Sequence, residues 1–216
     1  VLEAESLIED HLKEQGKAGE AIAHFREALE IDAGYAKAHN NLGVMLRGQG
    51  LVDDAAGQFR QALESEPDYV DAHYNLGSAL DRQGKTDEAI AHFRRALEIN
   101  PGYLRARNDL AGVLLGRGKT EEAIAHLRKA LEINPEYADA HLNLGLALDK
   151  QFKDDEALAH FHAAAKADPQ SARVLTVLAL ALLRRERPDE AVATLETILK
   201  ANPNGAETRF LFGMAL

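Results

Sequence analysis

At 216 residues, with 46 % hydrophobic and 28 % charged side chains, the chain has the composition of a folded domain, which excludes wholesale disorder. A formal charge of −10 argues against nucleic acid as the main partner, because phosphate binding needs a basic stripe. No apolar stretch is long enough to span a bilayer, and the lack of Cys excludes disulfides and thiolate metal sites.

The chain keeps a clock. Tyr35, Tyr69, Tyr103 and Tyr137 are spaced 34 residues apart, and Pro67, Pro101, Pro135, Pro169 and Pro203 follow the same period. Frames 2–35, 36–69, 70–103, 104–137, 138–171 and 172–205 need no insertion, and a partial frame 206–216 follows. The first frame departs from the others, with Glu9 at a position small elsewhere and Ala33 at the proline position, and it reads as a polar cap or a degenerate repeat. In the next four, pairs such as Leu42/Leu46, Leu76/Leu80, Leu110/Leu114 and Leu144/Leu148 predict a first helix. Gly16, Gly50, Gly84 and Gly118 punctuate the turn, and acidic residues such as Asp87-Glu88 open a second helix beside its positive end. In the sixth frame, Ile198 replaces a small Ala, so looser helix packing is expected there. The last frame, ending Phe210-Leu211-Phe212-Gly213-Met214-Ala215-Leu216, is an apolar first helix with no second helix after it, so the chain reads as a fragment of something longer.

This pattern resembles the tetratricopeptide repeat family over the whole chain. The small residues that the family uses for close helix packing correspond to Gly43, Gly77, Gly145 and Gly213, to Ala21, Ala55, Ala89, Ala123, Ala157 and Ala191, and to Ala28, Ala62, Ala96, Ala130 and Ala164. The large apolar position holds Phe25, Phe59, Phe93, Leu127, Phe161 and Leu195, whereas the usual Trp is replaced by His39, His73 and His141 in three repeats. The resemblance implies an all-α, right-handed α-solenoid of helix-turn-helix repeats. It also implies a concave groove lined by frame positions 2, 5, 6, 9, 12 and 13.

Motifs for chemistry fail on inspection. The run from Gly112 to Thr120 looks like a phosphate loop, but Val113 stands where Gly is needed and no strand precedes it. Of the nine His, His24, His92, His126 and His160 share one frame position and His39, His73 and His141 another, which places equivalent imidazoles too far apart to share one zinc. His160 and His162, two apart on a helix, point in different directions. The four Ser have no neighbouring base in sequence. No catalytic residue, cofactor or metal ligand is assigned, and a non-enzymatic scaffold is expected.

The groove positions give a candidate site of Lys37, Asn40, Asn41, Tyr74, Asn75, Arg105, Asn108, Leu142, Asn143, Leu146, Val177 and Leu180. At position 2 the charge alternates through Lys37, Asp71, Arg105, Asp139 and Arg173, which reads as pairs between neighbouring repeats rather than as ligand hooks. The Asn residues both donate and accept, so they suit either the backbone of an extended peptide or the neighbouring helix. They resemble the asparagine ladder of O-GlcNAc transferase arms. A carboxylate clamp of the chaperone-binding kind is excluded, since Asn40 and Val44 stand in its first pair and Asp109 would repel a carboxylate.

From Val174 to Leu183 the sequence is apolar nearly all round, so this helix expects burial on more than one side. Leu142, Leu146 and Val177 are read as a binding surface, whereas Phe210 and Met214 suit either a partner or a covering helix. The leading expectation is a protein- or peptide-binding scaffold. The alternatives are a homo-oligomer formed through the groove or the apolar C-terminal helix, and the recruiting arm of a larger enzyme. No feature names a compartment, and the cytoplasm is the default.

Overall fold

A computed structural model describes residues 17–203 and 205–215. Readings that fall on Glu9 and Gly16, and on Leu216 at the other end, lie outside the described residues. The described residues form twelve α-helices: α1 (Ala18–Ile31), α2 (Ala36–Gly48), α3 (Val52–Ser65), α4 (Val70–Arg82), α5 (Thr86–Ile99), α6 (Leu104–Gly116), α7 (Thr120–Ile133), α8 (Ala138–Asp149), α9 (Asp154–Ala167), α10 (Ala172–Leu183), α11 (Pro188–Ala201) and α12 (Ala206–Ala215). They divide into two compact units, one ending at Val113 and the other starting at Leu114, so the division falls inside α6.

In the first unit, α1 packs on α2, α2 on α3, α3 on α4 and α4 on α5, and α2 also touches α4. In the second, α7 packs on α8, and each helix packs on the next through α12, with α10 also touching α12. Consecutive pairing with contact between alternate first helices is the packing of stacked helical hairpins.

Small residues set the spacing inside each hairpin. A methyl group added at Gly43 would come within 2.6 Å of the Phe59 ring, at Gly77 within 2.9 Å of Phe93, and at Gly145 within 2.5 Å of Phe161. The ring of the second helix therefore lies directly on the backbone of the first. Where the first helix carries Ala179 instead of Gly, the second carries Leu195, and both are fully buried. Volume is conserved across the pair, as close packing demands.

The turn between the two helices is built alike in five repeats. The amide of Leu51 donates to the Leu46 carbonyl at 3.0 Å, Lys85 to Leu80 at 2.9 Å, Lys119 to Leu114 at 2.9 Å, Lys153 to Leu148 at 3.0 Å and Arg187 to Leu182 at 3.1 Å. Each bond needs a left-handed residue just before the donor. Gly50, Gly84 and Gly118 supply it at φ +82°, +75° and +74°, but Phe152 and Glu186 hold φ 59° and 56° with a side chain attached. Sequence punctuation by glycine stops at Gly118, yet the geometry continues.

Candidate functional site

The residues that replace the family's Trp act as clasps on the preceding turn. His39 Nε2 lies 3.0 Å from the Ala33 carbonyl, His73 Nε2 2.9 Å from that of Pro67, and His141 Nε2 2.9 Å from that of Pro135. Arg107 donates to the Pro101 carbonyl, and Arg209 Nε to Pro203 at 2.8 Å. The other imidazole nitrogen faces the second helix, His39 Nδ1 meeting Gln58 Oε1 at 2.8 Å, His73 Nδ1 meeting His92 Nδ1 at 3.0 Å, and His141 Nδ1 meeting His160 Nδ1 at 2.9 Å. Burial lowers the pKa of His73, and it lowers those of His92 and His160 with help from the facing imidazole. Among the described residues no three His, Cys, Asp or Glu side chains converge as a metal site.

The asparagines of the first unit form a chain of amides between helices. Asn75 Nδ2 donates to Asn40 Oδ1 at 3.0 Å, Arg47 Nη1 donates to Asn75 Oδ1 at 3.1 Å, and Asn40 Nδ2 reaches Asn41 Oδ1 at 3.4 Å. Asn40, Asn75 and Asn108 are buried, and Asn108 Nδ2 donates to Asp109 Oδ1 at 3.2 Å. Of the two uses an Asn ladder allows, these three serve the neighbouring helix and side chains, which narrows the expectation of peptide contact to half-buried Asn41.

Tyr74 donates to Asp109 Oδ2 at 3.0 Å, and its ring lies 5.4 Å from that of Tyr103 and 6.0 Å from that of Phe93. Tyr103 in turn donates to Asp71 Oδ1 at 2.6 Å. Burial raises both phenol pKa values, and the carboxylates raise them further, so both hydroxyls remain protonated donors. Asp71 therefore serves a tyrosine, whereas Arg173 and Asp139 approach to 3.8 Å at an exposed rim, as the alternating ladder leads one to expect. Lys37 and Arg105 are exposed.

A polar cavity of about 480 Å³ opens beside Tyr74, lined by Val44, Arg47, Gly48, Tyr74, Ser78, Arg82 and Asp109. All seven stand at frame positions 5, 6, 9, 12 or 13, the groove positions that the family resemblance assigns. Arg47 holds the floor, its guanidinium 5.9 Å from the centre of the Phe59 ring. Arg47, Ser78 and Arg82 were legible from positions 9, 12 and 13, but the asparagine pattern drew attention to positions 5 and 6 instead.

In the second unit Leu142 is fully buried and offers no surface to a partner, a correction to the sequence reading. Position 5 of α8 turns into the seam between helices, where an apolar side chain is covered by its neighbours. Asn143, Leu146 and Val177 are half-buried, and Leu180 is exposed. No helix among the described residues is long and apolar enough to cross a membrane.

Sequence models of the tetratricopeptide repeat match residues 46–103, 82–125 and 150–209, and a model described as TPR repeat matches residues 10–50 and 113–151. The chain belongs to the tetratricopeptide repeat family. Its fold is an all-α solenoid of helical repeats, the architecture of a protein-interaction scaffold. Among solved structures, it is similar to TTC0263, a thermophilic TPR protein of Thermus thermophilus, at 26 % identity, TM-score 0.70, 83 % of this chain and 98 % of that one. It is similar to MamA at 26 % identity and TM-score 0.66, covering 76 % of this chain and 96 % of that one. PilF of Pseudomonas aeruginosa shares the fold at 23 % identity and TM-score 0.78, covering 98 % and 96 % of the two chains. No curated protein matches the chain.

Proposed function

We propose that the chain binds an extended peptide segment of a partner protein along the groove of its first unit. The polar cavity beside Tyr74 carries this reading. Arg47, Ser78 and Arg82 bring donors to the lining, and Asp109, which already accepts from Tyr74 and Asn108, brings further carboxylate lone pairs. A backbone amide needs both at once, whatever the sequence of the peptide. The buried amide chain of Asn40 and Asn75 supports the site by holding Arg47 in place.

The test is selection of binders from a random peptide library on the immobilised chain, followed by calorimetric titration of the recovered peptides. Arg82→Glu, at an exposed position, and Ser78→Trp, which fills the cavity, are expected to weaken binding about tenfold or more. Peptides that bind both variants as tightly as the original chain would show that the groove is not their site.

A second reading is self-association through α12. Its motivation is that Phe210 and Met214 are 68 % and 61 % exposed. Light scattering should then show a dimer that Phe210→Asp dissociates, and a monomer at high concentration would remove the idea.

A further inference from the structure

The tyrosine that closes each frame from Tyr35 to Tyr137 gives way to Ser171 and Gly205 in the next two. In the first unit, that tyrosine has a defined seat. Tyr69 packs against the cluster of Ala36, Ala62 and Ala72, and Tyr103 lies against Tyr74 and bonds Asp71. The frame equivalents of those five residues around Gly205 are Ala172, Ile198, Thr208, Thr176 and Arg173. All five line an open cavity of about 730 Å³ in the second unit. The cavity thus stands at the frame position where the first unit seats its tyrosine.

We propose that this cavity takes an aromatic side chain from an acidic segment of a bound peptide. It rests on the reading of the chain as a peptide-binding scaffold, but at a second site in the other unit. The volume exceeds that of one ring, so the cavity has room for a ring and its flanking residues, and apolar space at Leu175, Val177 and Ile198 beside polar groups is what an anchor residue requires. Charge sets the preference. Asp71 accepts a hydrogen bond from the Tyr103 hydroxyl, whereas Arg173 in its place can only donate. Lys200 adds a second positive charge to the lining against Glu207, and the Asp139 carboxylate 3.8 Å from Arg173 is exposed and screened by solvent, so carboxylates flanking the ring are favoured over ammonium groups.

The chain has no Trp, so a Trp peptide reports its own burial by fluorescence. The probes are the blocked pentapeptides Gly-Glu-Trp-Glu-Gly and Gly-Lys-Trp-Lys-Gly, titrated with the full chain. The acidic peptide is expected to give a saturable blue shift, and the basic one to bind about tenfold more weakly or less. Gly205→Tyr should fill the seat from within. A Cβ there meets only the Thr208 hydroxyl closer than 3.4 Å, at 3.3 Å, and Gly205→Tyr with Ile198→Ala gives the ring further room. Both variants should lose about tenfold or more in affinity for the acidic peptide while keeping helical circular dichroism. Should they fail to fold, Arg173→Glu with Lys200→Glu, both exposed positions, should reverse the charge preference. No saturable shift, unchanged affinity in the filled variants, or equal binding of the two peptides would overturn the proposal. Continued sensitivity of library peptides to Arg82→Glu would then leave the groove of the first unit standing, and loss of that too would remove both.

Discussion

His73 and His92 face each other Nδ1 to Nδ1 at 3.0 Å, with the far nitrogen of His73 tied to the Pro67 carbonyl. A carbonyl only accepts, so neutral His73 carries its proton on Nε2, and its Nδ1 must accept a hydrogen bond from the Nδ1–H of His92. The pair tolerates one extra proton but not two, since two N–H groups would then point at each other. His141 and His160 repeat the arrangement at 2.9 Å.

A dependence of stability on pH follows. The folded pKa values of His73, His92 and His160 lie below the ordinary 6.5, chiefly through burial. Arg95 and Arg60 push the first two down, and Asp68, Glu98 and Glu88 pull them up. The unfolded chain thus binds more protons, so stability is complete above pH 6.5 and is lost as pH falls through the folded values. Replacing His92 and His160 with Gln copies the His39–Gln58 pair. In urea titrations across pH, the double variant should match the original chain at neutral pH and decline less in acid.

Phe152 and Glu186 carry the left-handed strain that glycine avoids in three other turns. Phe152 is 90 % exposed, so removing its ring sacrifices no packing. Relief of about 1–2 kcal/mol per site, less the greater chain entropy of glycine at about 0.4–1 kcal/mol, leaves a net gain. Phe152→Gly and Glu186→Gly should each raise stability by about 0.5–1 kcal/mol in denaturant titration, and a loss in either would mean that the turn is held by the side chain.

Gly77 and Phe93 should behave as one unit. Gly77→Ala places a methyl group against the ring, and overpacking of this kind costs about 1–3 kcal/mol despite the better helix propensity of Ala. The combination Gly77→Ala with Phe93→Leu recreates the Ala–Leu pairing that the sequence uses at Ala179 and Leu195. A double-mutant cycle should show the pair costing less than the sum of its members. Simple additivity would mean that the ring and the helix backbone do not share the space.

Asn75 connects Arg47 to Asn40 through both ends of its amide. Asn75→Ala strands a buried amide and removes an anchor of Arg47, so a loss of about 1–3 kcal/mol is expected in thermal or urea unfolding. A variant as stable as the original would return Asn75 to the role of a ligand contact.

The frame of 34 residues made the hairpins, the Gly–Phe packing and the order of helices legible, because each depends on residue size at a fixed helical phase. Depth was harder. Asn40, Asn75 and Leu142 share frame positions with residues that face the groove, but phase alone does not say whether a side chain stops in the seam between helices or passes it. Neighbouring side chains decide that, and Arg47 and Tyr74 are such neighbours. The turns at Phe152 and Glu186 were hidden because the hydrogen bonds of a repeating hairpin override a local preference worth about 1 kcal/mol. The empty seat at Gly205 was visible in the sequence only as a missing tyrosine.

Among the described residues, bonds that join one repeat to the next span 35 residues from Asn40 to Asn75 and from Tyr74 to Asp109. Gln83 to Asp53 and Gln151 to Glu121 span 30. Partners this near in sequence need no long loop closed before their contacts form, which is the pattern of fast folders of low contact order. Each hairpin can dock as it leaves the ribosome, before the following one has been made.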